Sequence, residues 1–340
     1  MSKTKLAIAT TTIETIDNLL LFINFHKKNG ITHFYIFVDS YKNKLDLDDN
    51  AIYSTTNLFD ENINNYIQDT RKRLVEQLNS IDGVKAFLCD EQYYQDLYNN
   101  SVLKLNLRQS LNATHALSLA DKDSCTHLAH IDFDELIYSD NNHDILTELR
   151  TVTTFTRIYA MELVPENIDN GLFEGTLFRV NINKSSVGKV LKDAANLSLI
   201  TPSDPWFRGY DHYKSIYNIK FTLKNKLAIG VHSYNISNDT LAFKDITPPP
   251  SNLKLLHFQC ANFRDFKQKL EIRTIGEPPS SYSINNSRRQ EIRHYRQSTT
   301  KQDLIDLYKN NYFIDDKLKD FLLKNKALTR ITIDKNLFLN

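Results

Sequence analysis

An apolar run that ends in carboxylates is the part of this sequence best suited to chemistry. The run Thr126 to Ile131 reads as a β-strand and leads into Asp132-Phe133-Asp134-Glu135. In extended chain, residues two apart project to the same side, so Asp132 and Asp134 are expected to face one point. Two carboxylates converging at the carboxyl end of a parallel sheet suit a hard divalent cation, Mn²⁺ or Mg²⁺. Such a cation is a Lewis acid and stabilises charge growing on a phosphate leaving group. Taken alone, the pattern is also that of a solvated acidic turn. Glu135 reads as a salt-bridge partner or as helix N-terminal charge.

The surrounding segments read as a frame for that turn. Strand signals at Leu6–Thr10, His33–Val38, Val84–Leu88 and Thr126–Ile131 alternate with helical patterns at Glu14–Asn29, Tyr66–Asn79 and Ser101–Leu119. Alternation of this kind makes a mostly parallel sheet. In the first helix, Ile16, Leu19, Leu20 and Ile23 form an apolar stripe, and Gly30 stops it after Lys27 and Lys28. Beyond about residue 150 the pattern becomes mixed. Short β-like stretches at Thr154–Leu163, Thr176–Val180, His212–Asn218, Leu227–Val231 and Lys254–Phe258 precede helical signals at Asn262–Arg273 and Asp303–Lys326. No internal repeat is present.

Composition narrows the classes of function. Lys plus Arg total 42 against 41 Asp plus Glu, a formal charge of +1, which gives no global attraction to nucleic acid. The 3 cysteines, Cys89, Cys125 and Cys260, form no Cys-x-x-Cys pair, so neither a zinc knuckle nor a disulfide framework is expected. Residues Leu6 to Ala9 are too short an apolar stretch for a signal-peptide core, and no run has transmembrane length. The expected location is the cytoplasm, with peripheral contact to the inner membrane face open through the basic stretch Arg288 to Arg296.

With the acidic turn in its place, the sequence resembles bacterial members of the GT-A glycosyltransferases, in particular family 92 and its family 2 relatives. The resemblance is carried by Leu21-Phe22-Ile23-Asn24-Phe25-His26 through Gly30 to Ile36, by Arg108-Gln109-Ser110-Leu111-Asn112, by Leu128 to Ile137, and by Leu256-His257-Phe258 with Phe263 to Lys269. Lys214-Ser215-Ile216 followed by Val231-His232-Ser233 adds a weaker segment. Residues Leu163 to Gly175 depart from the family pattern. The resemblance implies an α/β fold with a GT-A-like, Rossmann-like mixed sheet flanked by helices and a helical C-terminal segment. It divides the chain into a catalytic domain at 1–275, with a nucleotide-sugar half at 1–140 and an acceptor half at 141–275, and an extension at 276–340.

The implied activity is sugar transfer from a nucleotide-sugar donor, UDP-linked, to a glycan or lipid-linked glycan in surface polysaccharide synthesis, with no nucleic-acid partner. The resemblance places base and ribose near Thr10, Thr11, Thr12 and Asp39. Turn or N-cap duty explains the same residues. Arg108 and Asn112 lie one helical turn apart and share a face that could meet the nucleotide. By analogy, His257 is the third metal ligand beside Asp132 and Asp134, with His232 the second choice. Lys214 could neutralise the diphosphate, and Arg264, Lys267 and Lys269 read as helix surface able to do the same. An inverting enzyme needs a general base, for which Asp211 is preferred over Asp204, Glu174 and Glu162 because it adjoins His212 and lies near Lys214. Two other readings stay open: a metal-dependent phosphotransferase or hydrolase on the same carboxylates, and a non-catalytic carbohydrate-binding protein.

Overall fold

The computed structural model describes residues 3–40, 61–99, 105–139, 144–181, 185–200, 213–235, 252–276 and 286–339. In chain order the elements are β1 (Leu6–Thr12), α1 (Ile16–Lys28), β2 (His33–Asp39), α2 (Glu61–Asn79), β3 (Val84–Cys89), α3 (Glu91–Tyr98), α4 (Leu105–Lys122), β4 (His127–His130), β5 (Glu135–Tyr138), α5 (Ile145–Leu149), β6 (Phe155–Leu163), β7 (Leu177–Arg179) and α6 (Ser185–Asn196). They continue with β8 (Tyr213–Asn218), α7 (Ile219–Lys224), β9 (Ala228–Ile229), β10 (Tyr234–Asn235), β11 (Lys254–His257), α8 (Phe263–Gly276), α9 (Asn286–Gln297), α10 (Lys301–Tyr312), α11 (Asp316–Lys324) and β12 (Leu328–Arg330).

The main sheet runs β12-β7-β6-β8-β4-β1-β2-β3, with β11 bridging β5 and β6. β1 to β4 pair in parallel, as the alternating first half requires. β8 is antiparallel to both β4 and β6, so the second half makes the sheet mixed. Side-chain alternation sorts the first strands cleanly between two faces. Leu6, Ile8, Phe34, Ile36 and Val38 pack on the side of Phe22 and Ile23 from α1, whereas Ala7, Ala9, Tyr35 and Phe37 pack on the side of α4. Small residues on α4, Ala113, Ala116 and Ala120, are fully buried there and let the helix lie close to β1.

α1 starts after Thr15 and carries Asp17 in its first turn and His26, Lys27 and Lys28 in its last, charges that suit the two ends of the helix dipole. Gly30 follows at φ +87°, where an L side chain is strained. His26, fully buried, ties α1 to β5. Its Nδ1–H donates to Phe22 O at 2.8 Å, and its Nε2 accepts from the Ile137 N–H at 3.2 Å.

The C-terminal segment is more than a helical extension. After α9, α10 and α11, strand β12 joins β7 at the sheet edge. The last turn, Lys335–Phe338, then returns to α1, where Phe338 stacks on Phe25 at 5.5 Å.

Candidate functional site

The carboxyl ends of β1, β2 and β4 open into a cleft of about 450 Å³. Thr11, Thr12, Asp39, Arg108, Asp132 and Asp134 line it, joined by Phe258, Leu172 and Lys269 from the second half. Ligands sit at this edge of an open α/β sheet because strand ends and helix N-termini expose unpaired polar groups there.

The acid motif differs from its expected form. β4 ends at His130, and residues 132–135 make a turn rather than extended chain. The Glu135 N–H donates to Asp132 O at 3.1 Å, and the Asp132 N–H donates to Glu135 Oε2 at 2.7 Å. Alternation along a strand therefore does not aim these aspartates. Asp132 directs Oδ2 to Lys214 Nζ at 2.9 Å, while Asp134 directs Oδ2 to Lys269 Nζ at 2.7 Å and Oδ1 to His257 Nε2 at 3.6 Å.

Sheet register builds the row behind Asp134. β11 lies between β5 and β6, and His257 pairs with Glu135 on one side and Glu162 on the other. The Phe258 N–H donates to Asp134 O at 2.9 Å and pins the turn to the end of β11. His257 Nδ1 is 2.9 Å from Glu162 Oε2. Burial disfavours a charged imidazole, but Glu162 and Asp134 outweigh it and hold His257 well above its ordinary value. Burial likewise opposes ionisation of Asp134, and Lys269 with His257 overcomes it, holding the carboxyl well below the usual range.

Lys214 corrects a sequence expectation. Its side chain is 0% exposed and absent from the cleft lining, so it meets Asp132 instead of a donor phosphate. β8 runs antiparallel to β4 with Ala129 opposite Ile216, and continuing that register brings Lys214 opposite Ile131, beside Asp132. Burial lowers the lysine, but Asp132 and then Glu135 raise it further, so it stays charged. Glu135 is the losing partner. It stands 3.7 Å from Lys214, and burial pushes its carboxyl up to about 8. Of the two readings of Glu135, the position beside a lysine is found, while the helix N-terminus is not, because the residue begins β5.

At the other end of the cleft, Arg108 Nη2 donates to Asp39 Oδ2 at 2.8 Å, with the arginine 1% and the aspartate 10% exposed in their side chains. Arg71 of α2 sits close enough to feel the Asp39 charge and also lines the cleft. Thr10 and Asn112 are buried and do not line the cleft. Asn112 Nδ2 donates to Thr11 Oγ1 at 3.0 Å, so its placement is behind Thr11 rather than against a ligand. Asp211 and Asp204 lie outside the described residues. Glu162 sits behind His257, and Glu174 is a half-exposed partner of Lys335 at 3.2 Å. His232 lines a separate shallow groove with Leu107 and Ser233.

Sequence reasoning missed Arg71 and Glu14, which line the cleft without belonging to any motif, and gave no role to Asp265 and Gln268, which line it from within the Phe263 to Lys269 segment. It left Lys269, with Arg264 and Lys267, between helix surface and a neutraliser of the diphosphate. Arg264 is 75% exposed, and Lys267 faces Glu271 across one helical turn, but Lys269 turns inward.

Asp134 and His257 offer a carboxylate and an imidazole within reach of one another. Among the described residues, no three His, Cys, Asp or Glu gather to hold a metal ion, so Asp132, Asp134 and His257 do not form the expected triad. The Asp134 carboxylate still fits Mg²⁺ or Mn²⁺, which commonly takes one or two carboxylates and leaves its other positions to substrate phosphates and water; His257, with each ring nitrogen facing a carboxylate, would have to give up the Nε2 proton to join it.

No protein-family model matches the sequence. The chain is similar to a glycosyltransferase-like protein of Arabidopsis thaliana, 21% identical over 97% of this chain and 62% of that protein. It therefore spans less than two thirds of that relative's length. Among solved structures, the Staphylococcus aureus TarS 1-349 complex with UDP aligns over 95% of this chain and 87% of its own, at 13% identity and a TM-score of 0.31. That score is too low to carry an argument. Among the described residues, no helix is long and apolar enough to cross a membrane.

Proposed function

We propose that this chain is a GT-A-type glycosyltransferase that moves a sugar from a UDP-linked donor to a glycan or lipid-linked glycan acceptor. The observation that carries this reading is a single cleft lined by both the Asp39–Arg108 pair and the Asp132–Asp134 turn, at the carboxyl ends of parallel strands. The glycosyltransferase-like relative, aligned along 97% of the chain, supports the same class of activity. A role in bacterial surface polysaccharide synthesis, at the cytoplasmic face of the membrane, rests on the family resemblance alone.

The residues divide the work by position. Asp39, held by Arg108, offers carboxylate oxygen to a ribose hydroxyl or base N–H, and Thr11 offers a hydroxyl beside it. Asp132, anchored by Lys214, presents its 35% exposed side chain to the donor. Asp134 and His257 would hold Mn²⁺ or Mg²⁺, with Glu162 fixing the imidazole from behind. The cation, when bound, supplies Lewis-acid stabilisation of charge on the departing diphosphate. Asp211 is the proposed proton acceptor from the acceptor hydroxyl.

Calorimetric titration with UDP, UDP-sugars and other nucleotide sugars tests the donor assignment. Binding of a uridine donor by the wild-type protein, weakened by Asp39→Ala, is the expected result. A protein that binds no nucleotide sugar at all contradicts the proposal.

A further inference from the structure

The acid turn is neutralised by lysines of opposite character. Lys214, on Asp132, is 0% exposed in its side chain and cannot withdraw without stranding buried charge. Lys269, on Asp134, is 30% exposed, lies on α8 and lines the cleft itself. Its ammonium sits 2.7 Å from Asp134 Oδ2, on the same carboxylate that would hold a divalent cation. A lysine stem rotates freely enough to carry its charge from one anion to another nearby. His257, the remaining neighbour of Asp134, is fixed by Glu162 and does not have that freedom.

The cleft also gives a reason for the arrangement. Glu14, Asp39, Asp132, Asp134 and Asp265 all line it. Without a cation on Asp134, like charges would meet at its floor. A donor diphosphate arriving with a divalent cation supplies both a replacement for the ammonium and a new anion for it.

We propose that Lys269 is an exchangeable counter-ion: it holds Asp134 while the cleft is empty, yields that carboxylate to a divalent cation, and moves its ammonium to the donor diphosphate. The proposal rests on the donor-cleft reading above. It makes cation and donor binding mutually dependent. A cation alone must break an ion pair, whereas a donor gives the displaced lysine a partner, and by linkage the coupling runs both ways.

Lys269→Met tests it, with Lys269→Gln as a second neutral variant should the first fail to fold. The readouts are Mn²⁺ binding without donor, followed by the loss of the free-ion electron paramagnetic resonance signal, and UDP binding at saturating Mn²⁺. Without donor, the variants should bind Mn²⁺ on the order of tenfold more tightly than wild type, a change worth about 1.4 kcal/mol. With Mn²⁺ present they should bind UDP more weakly by a similar factor. Asp134→Asn separates the possible failures. If Asp134→Asn abolishes Mn²⁺ binding but the Lys269 variants bind it no better than wild type, the counter-ion proposal is overturned and the cation site stands. If wild type and Asp134→Asn bind Mn²⁺ alike, the cation site and the proposal both fall.

Discussion

Lys214 Nζ lies 2.9 Å from Asp132 Oδ2, and the lysine side chain is 0% exposed. A strand from the second half of the chain thus holds the first carboxylate of a turn in the first half. Removing one partner of a buried ion pair leaves the other charge uncompensated, which costs about 3 kcal/mol or more. Lys214→Met should therefore lower unfolding stability by about that amount and weaken donor binding with it. Urea denaturation with a midpoint equal to wild type would show that the pair does not position Asp132.

The Asp39–Arg108 pair should govern nucleotide affinity. Arg108→Lys keeps the charge but loses the planar fork that meets Asp39 at 2.8 Å. The expected effect is about tenfold weaker UDP binding, equivalent to about 1.4 kcal/mol, measured by calorimetry. Equal affinity in the variant would assign the pair to structure alone.

Glu162 should act through His257. Outer partners of this kind affect metal affinity by about 10–100-fold. Glu162→Ala is expected to weaken Mn²⁺ binding within that range. Glu162→Gln, which keeps an acceptor for the imidazole N–H, should recover part of it. Identical Mn²⁺ affinity in all three proteins would remove Glu162 from this role.

His26 should set an acid limit on stability. Burial lowers its pKa to about 3 from the ordinary 6.5. Between those values the unfolded chain binds a proton that the folded chain refuses. The contribution is complete above pH 6.5 and is lost as pH falls toward 3, by about 1.4 kcal/mol per pH unit. His26→Gln should flatten this limb in urea midpoints taken between about pH 7 and pH 4.5. An unchanged slope would mean that other groups produce it.

The local patterns were the legible part of this molecule. The apolar runs Leu6 to Ala9 and Phe34 to Val38 marked buried parallel strands, and the stripe of Ile16, Leu19, Leu20 and Ile23 marked α1, of which Leu19 and Ile23 are fully buried. The acid turn could be found because carboxylates directly after an apolar strand are unusual punctuation. Its geometry could not, because the turn hydrogen bonds that displace Asp132 and Asp134 from a strand depend on Glu135. β5 was missed for the same reason: Glu135 to Tyr138 has too little sequence of its own to announce a strand. The insertion of β11 between β5 and β6, which sets Glu162 against His257, is a pairing between segments about 95 residues apart. No local signal encodes such a contact. Arg71, Glu14 and Asp265 reach the cleft through tertiary placement alone. Lys269 looks like Arg264 and Lys267 until the helix is oriented.

The most direct test of the central claim is turnover of a panel of nucleotide sugars, followed by release of the nucleoside diphosphate, with Mn²⁺, Mg²⁺ or EDTA, for wild type and Asp134→Ala. The account predicts that one uridine-linked donor is turned over by wild type with a divalent cation, and that EDTA or the substitution abolishes this. Equal behaviour of wild type and Asp134→Ala toward every donor would contradict a sugar-transfer site at the acid turn.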